Sequence, residues 1–117
     1  LVRAIFRQVL DREADDSGLI TYSCRLARGE WAVRQVVRDL GVSTEYNTRF
    51  VANQSEPVQV GILMYRHFLA RTPGTGEMAH VNNQGQDAQH DLNHAVDVMT
   101  SGDEYDRKFG DDGVPGG

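Results

Sequence analysis

Apolar side chains recur at helical spacing along nearly the whole chain. Val2, Ile5, Phe6, Val9 and Leu10 form one stripe at i, i+3, i+4 and i+7, the pattern of a helix with one face against a core. Asp15, Asp16 and Ser17 are candidate caps for a second helix carrying Leu19, Tyr22 and Leu26. Their short oxygen-bearing side chains can accept from the free N–H groups of a first turn. Gly29 suits the stop of that helix. A third helix is expected over 31–40, with Val33, Val36, Val37 and Leu40 inward and Gly41 ending it. Ser43 then caps a short fourth helix bearing Tyr46 and Phe50.

Residues 53–57 are polar and end in Pro57, which suits the first turn of a following helix. That helix is expected to reach about Arg71, carrying Val58, Ile62, Tyr65, Phe68 and Leu69. The breakers Thr72-Pro73-Gly74-Thr75-Gly76 read as a loop. A helix over 77–84 should stop at Gly85. Asp87 should cap the next one, which has Ala88, Leu92, Ala95, Val96 and Met99 on its apolar face. Ser101 and Glu104 have the spacing of a capping box for a last short helix. The tail from Gly110 has no helical pattern. No convincing period-two run is present, so the fold class is all-α: a single compact multi-helix bundle over residues 1–117.

The polar positions add a repeat. Arg7, Leu10 and Arg12 return as Arg66, Leu69 and Arg71, each 59 positions later. Glu45, Tyr46 and Phe50 return at the same offset as Glu104, Tyr105 and Phe109. Two sub-repeats are therefore expected, about 5–50 and about 64–109. A period of that length is a whole helical sub-bundle, longer than most solenoid repeats. Arg7 and Arg66 are expected to satisfy the carbonyls of a neighbouring helix or to pair with Glu45 and Glu104. Each Tyr/Phe pair, at i and i+4, shares one helix face and is expected in the core. Duplication of one packing unit favours a scaffold or binding module over an enzyme, whose site is usually asymmetric.

Composition narrows the partners. Of 117 residues, 39% are hydrophobic and 25% charged, ordinary for a globular domain. The net charge is −5, which weighs against nucleic acid, since that needs a basic face. The lone cysteine, Cys24, excludes an internal disulfide and is expected to be a buried small hydrophobe. No apolar run reaches the roughly 18 residues of a membrane helix, so no membrane insertion is expected. No signal peptide opens the sequence, and a first residue other than methionine fits a segment of a longer polypeptide.

Candidate chemistry is sparse. Asp11, Glu13 and Asp15 have a calcium-loop spacing, but Asp16 and Tyr22 stand where glycine and glutamate are required. His90 and His94 are i, i+4 and expected on one helix face, with His80 a conceivable third zinc ligand. Their polar setting favours plain surface histidines. No glycine-rich loop follows a strand, and no nucleophile is placed beside a base. The expectation is no enzyme, no metal and no cofactor.

Three stretches carry a resemblance: AIFRQVLDRE at the start, VGILMYRHFLARTP in mid-chain and SGDEYDRKFGDDGVP at the close. They resemble the helical domain of phycobilisome linker polypeptides over nearly the whole chain. The most specific part is Asp103-Glu104-Tyr105, Phe109-Gly110 and Val114-Pro115. Phe6 stands where that family commonly has tyrosine. The resemblance implies a structural linker that binds phycobiliprotein trimers or hexamers (phycocyanin, phycoerythrin or allophycocyanin), organises the light-harvesting antenna and tunes its energy transfer. It implies a place within the phycobilisome, on the cytoplasmic or stromal face of the thylakoid. A related helical module of bacterial surface or exported proteins shares Arg7-Leu10-Arg12 and Gly18-Leu19 and is the alternative.

The partner-binding candidates are Tyr65, Arg66, His67, Phe68 and Arg71. They are too many large side chains for one helix to bury all round, and exposed aromatics with arginine commonly anchor interfaces. His67 and Arg71 are expected on the outer side, with Ile62, Tyr65 and Leu69 inside.

Overall fold

The computed structural model describes residues 1–117 and contains helices and turns only. The first half holds α1 (Val2–Leu10), α2 (Asp16–Ala27), α3 (Val33–Gly41) and α4 (Thr44–Tyr46), which widens into a π turn over Asn47–Val51. The second half holds α5 (Pro57–Leu69), a 3-10 turn (Thr75–Glu77), α6 (Met78–His90), α7 (Leu92–Thr100) and α8 (Asp103–Lys108).

The apolar stripes meet in one core. Val2, Ile5, Phe6, Val9 and Leu10 of α1 are all buried, and Val36, Val37 and Leu40 of α3 join them. Tyr46, Phe68 and Tyr105 are the largest rings fully enclosed. Asp15 caps α2 by accepting from the Gly18 N–H, and Ser43 caps α4 by accepting from the Tyr46 N–H. The third helix begins at Val33, behind Trp31, because the Gln35 side chain takes the Ala32 N–H there.

Several local expectations need correction. α6 runs through Gly85 to His90, and the break falls at Asp91. A Cβ on Gly85 would lie 1.7 Å from the Pro57 oxygen, and one on Gly61 would lie 2.0 Å from the Val81 oxygen. These glycines let α5 and α6 touch backbone to backbone; neither stops a helix. Asp91 makes the break instead, since its side chain offers the His94 N–H an acceptor. His90 and His94 therefore end one helix and begin the next, both exposed, and do not share a face. Gly41 remains helical, and its missing Cβ leaves room for the Phe68 ring. Gly102, not Ser101, caps α8, because the Ser101 hydroxyl bonds the Asp97 carbonyl. Cys24 is exposed, because α2 lies at the rim and buries no residue completely.

The polar framework of the first half recurs in the second. The Arg12 guanidinium donates to both oxygens of Glu45, at 2.7 and 2.8 Å. Arg71 does the same to Glu104, at 2.7 and 2.9 Å. Arg49 donates to the Leu10 carbonyl and to Glu45. Lys108 donates to the Leu69 carbonyl and to Glu104. Asp11 and Ala70, which end α1 and α5, both take the left-handed conformation, at φ 52° and 57°. Two pairs of residues 59 apart touch each other: Gln8 with His67, and Arg38 with Asp97. Contact between equivalent positions is what an approximate two-fold relation between the halves requires.

Candidate partner-binding surface

The candidate segment is the last turn of α5 and the loop that follows. Pro57 starts the helix, and the left-handed Ala70 ends it. The Arg71 N–H then reaches back to the Tyr65 carbonyl, a common way to close a helix C-terminus. This turn sets the direction of Arg71.

Arg71 is a clamp. Besides Glu104, its guanidinium donates to both oxygens of Glu77, each at 2.7 Å. It also lies 5.1 Å from the centre of the Tyr65 ring. Hydrogen bonds to Glu77 and then Glu104 raise the arginine's pKa. The same bond from Arg71, aided by the Gly74 N–H, pulls Glu77 down to about 2. Arg71 likewise lowers Glu104, against the opposing effect of burial. One planar cation thus holds the 3-10 turn and α8 against the end of α5, geometry that arginine supports and lysine does not. The expected pairing of Arg7 and Arg66 with Glu45 and Glu104 is corrected accordingly. Arg12 and Arg71 hold those carboxylates, because each follows the left-handed residue that turns the chain inward. Arg7 meets only Glu13, at 3.4 Å in solvent.

His67 is not on the outer side. It is 2% exposed, with Nδ1 2.8 Å from the Tyr46 hydroxyl and Nε2 2.9 Å from Asp11. Its ring meets Tyr46 edge to face and lies tilted against Phe50. Burial lowers its pKa, against the pull of Asp11, and burial raises that of Tyr46. Phe68 is wholly buried against Tyr46. Leu69 is also buried, whereas Ile62 and Tyr65 are half-buried. His67 and Phe68 therefore hold the segment from behind, and its outer surface belongs to Arg66, with parts of Tyr65 and Arg71.

Arg66 is exposed and joins no ion pair, while its carbonyl accepts from the Gln8 side chain at 2.7 Å. It borders an open cleft of about 320 Å³ between α1 and α5, where Gln8, Asp11, Thr72 and Gly116 also contribute. Sequence reasoning met Asp11 only as part of a failed calcium loop, placed Thr72 in the loop that follows α5, and passed over Gln8 and Glu77 as members of this surface. Gln8 was findable in principle, since it stands 59 positions before His67. Glu77 had no such signal, because Gly18 occupies its equivalent position.

The surface thus has one free arginine, a ring edge and a rigid polar clamp, with His67 and Asp11 in the cleft wall. Residues 1–117 match the family model described as Phycobilisome Linker polypeptide. The protein named Phycobiliprotein ApcE of Nostoc sp. (strain PCC 7120) is 34% identical over 120 residues, covering 98% of this chain and 10% of that protein. The phycobilisome 31.8 kDa linker polypeptide, phycoerythrin-associated, rod, of Microchaete diplosiphon is 32% identical over 117 residues, covering 98% of this chain and 40% of that protein. The phycobilisome 39 kDa linker polypeptide, phycocyanin-associated, rod, of the same organism is 28% identical over the same shares. The chain spans about a tenth to two fifths of the length of these relatives. Since one family pattern runs from Leu1 to Gly117, the chain belongs to the phycobilisome linker polypeptide family.

Proposed function

We propose that this chain is a non-catalytic structural linker domain. It binds phycobiliprotein trimers or hexamers, organises the light-harvesting antenna and tunes its energy transfer. The observation that carries this reading is the family match over the entire chain. The names of two relatives attach those proteins to phycoerythrin and phycocyanin in rods. For this chain the partner is phycocyanin, phycoerythrin or allophycocyanin, and the place is the phycobilisome at the cytoplasmic or stromal face of the thylakoid. The family match favours this role over that of a surface or exported module. No helix is long and apolar enough to cross a membrane.

The proposed contact surface is Arg66, the exposed edge of Tyr65 and the loop through Gly76. Arg66 has no carboxylate of its own, so a partner carboxylate can take its guanidinium without breaking an internal bond. His67, Phe68 and Arg71 fix the backbone behind it, which lowers the ordering cost of association. A fixed charge held beside a pigment in a water-poor interface shifts its energy more than the same charge in water.

The test mixes the chain with purified phycobiliprotein trimers and reads complex formation and the emission maximum. Wild type is expected to form a complex and shift the emission. Arg66→Glu, which leaves the Arg71 clamp intact, is expected to weaken the complex. Absence of any complex with all three pigment proteins overturns the reading. A complex indifferent to Arg66→Glu removes this segment from the interface.

A further inference from the structure

Arg12 and Arg71 hold equivalent glutamates, but only Arg71 has the far end of its guanidinium filled. Its Nη1 and Nη2 donate together to the two oxygens of Glu77. Gly18 stands at the position equivalent to Glu77. The Phe6 ring lies against it, since a Cβ there would be 2.6 Å from the ring's Cζ, so this position brings no carboxylate to Arg12. Arg12 gives Nε and Nη2 to Glu45 and Nη1 to the Glu13 carbonyl. Each of its terminal nitrogens therefore keeps one N–H without a partner.

The place that Glu77 fills in the second half is a hollow in the first. It holds about 270 Å³ between the end of α1, the start of α2 and the corner where α3 meets α4. Arg12, Gly18 and Thr21 border it, over apolar Phe6, Leu10 and Leu40. The carboxylates already present are committed. Glu45 is held by Arg12 and Arg49, and Asp15 accepts from the Gly18 N–H and joins no ion pair. One glutamate along the side of such an arginine does not exclude a second at its end, because Arg71 takes both Glu104 and Glu77.

We propose that this hollow receives a glutamate side chain from a protein partner, in the role that Glu77 has in the second half. Its carboxylate meets the open end of the Arg12 guanidinium, the planar fork that arginine offers to two oxygens. Its methylenes lie over Phe6, Leu10 and Leu40. The second half carries this group on its own chain, and the first half takes it from outside. Arg66 and the loop after α5 take no part, so the inference stands apart from the ring-binding reading.

The experiment titrates the isotope-labelled full chain with a short capped peptide carrying one glutamate among glycines. A twin peptide carries glutamine instead. Saturable shifts at about millimolar peptide are expected at the Gly18 and Thr21 amides and the Arg12 side-chain N–H, with the glutamate peptide only. Thr21 is exposed, and Thr21→Glu sets a carboxylate on the rim one turn past Gly18. It is expected to weaken peptide binding about tenfold while the Arg12–Glu45 clamp and the helical spectrum stay as in wild type. Arg12→Lys keeps the charge, loses the fork and is expected to weaken binding by a similar factor. Arg66→Glu is expected to bind the peptide normally. No saturable shift around Arg12, an equal response to the glutamine twin, shifts confined to Arg66, or wild-type affinity in Thr21→Glu overturns the proposal.

Discussion

α5 and α6 touch through bare backbone, whereas α1 and α2, built from equivalent positions, stand apart on side chains. The difference lies in two residues of each pair: Gly61 and Gly85 against Val2 and Leu26. Its consequence is large. α6 contributes buried residues to the structure, whereas α2 contributes none. Related frameworks can thus yield one tightly sealed helix pair and one looser pair. The choice is made by side-chain volume, because interiors are close-packed and a backbone cannot yield to an added methyl group.

The strongest way to break this contrast is to exchange the residues. Gly85→Leu, which copies the first half, forces a side chain into the Pro57 carbonyl and is expected to cost at least about 3 kcal/mol. Leu26→Gly removes only a half-buried side chain and adds helix flexibility, at about 1–2 kcal/mol. Urea unfolding of both variants checks the ranking. Equal losses would mean that α5 and α6 can separate as freely as α1 and α2.

The clamps differ next. Arg71 holds two carboxylates where Arg12 holds one. Arg71→Ala is expected to cost about 2 kcal/mol and Arg12→Ala about 1, by the strength of partly exposed charge-assisted pairs. The pH dependence follows the lowered carboxylates. Their contribution is present above the ordinary value of 4.5 and is lost as pH falls through the folded value, about 2 for Glu77. A melting-temperature series from pH 6 to 2 should therefore be flatter for Arg71→Ala than for wild type.

A smaller test compares the two buried tyrosines. The Tyr46 hydroxyl meets His67, whereas the Tyr105 hydroxyl is buried without a partner. Residue 8, equivalent to His67, is Gln8, and its side chain is turned to the carbonyls of Arg66 and His67. Tyr46→Phe is expected to cost about 1 kcal/mol, and Tyr105→Phe nothing or a slight gain. Matched thermal melts decide it, and a loss at Tyr105→Phe would show that the hydroxyl has a partner in solution.

The smallest expected effect belongs to His67. Burial keeps its folded pKa below 6.5, so its neutral form stabilises the fold at higher pH. As pH falls through 6.5 the unfolded chain takes up the proton first and stability declines, until the folded pKa is passed. The groups facing the ring are Asp11, Tyr46, Arg49 and Arg66. A shallow fall in melting temperature between pH 7.5 and 5.5 is expected in wild type and absent in His67→Gln.

Much of the fold was legible because apolar period and caps act locally. Val2 to Leu10 announces a buried face, and Asp15 and Ser43 cap as their chemistry suggests. The site was less legible. His67 looks like an outer residue of a helix rich in large side chains, yet a partner 21 residues earlier, Tyr46, makes its burial possible. Gly85 looks like a stop until Pro57 is placed against it. Arg7 and Arg12 are equal candidates for Glu45 until the left-handed Asp11 turns one of them inward.

The sequence by itself determined the helices, their inward faces and the recurrence at 59 residues, because periodicity and capping depend on neighbours within a few positions. Only the tertiary structure decided which arginines meet the glutamates, which histidine is enclosed and which helix pair is sealed. Those outcomes depend on atoms brought together from distant positions, where a single Cβ or carbonyl sets what fits.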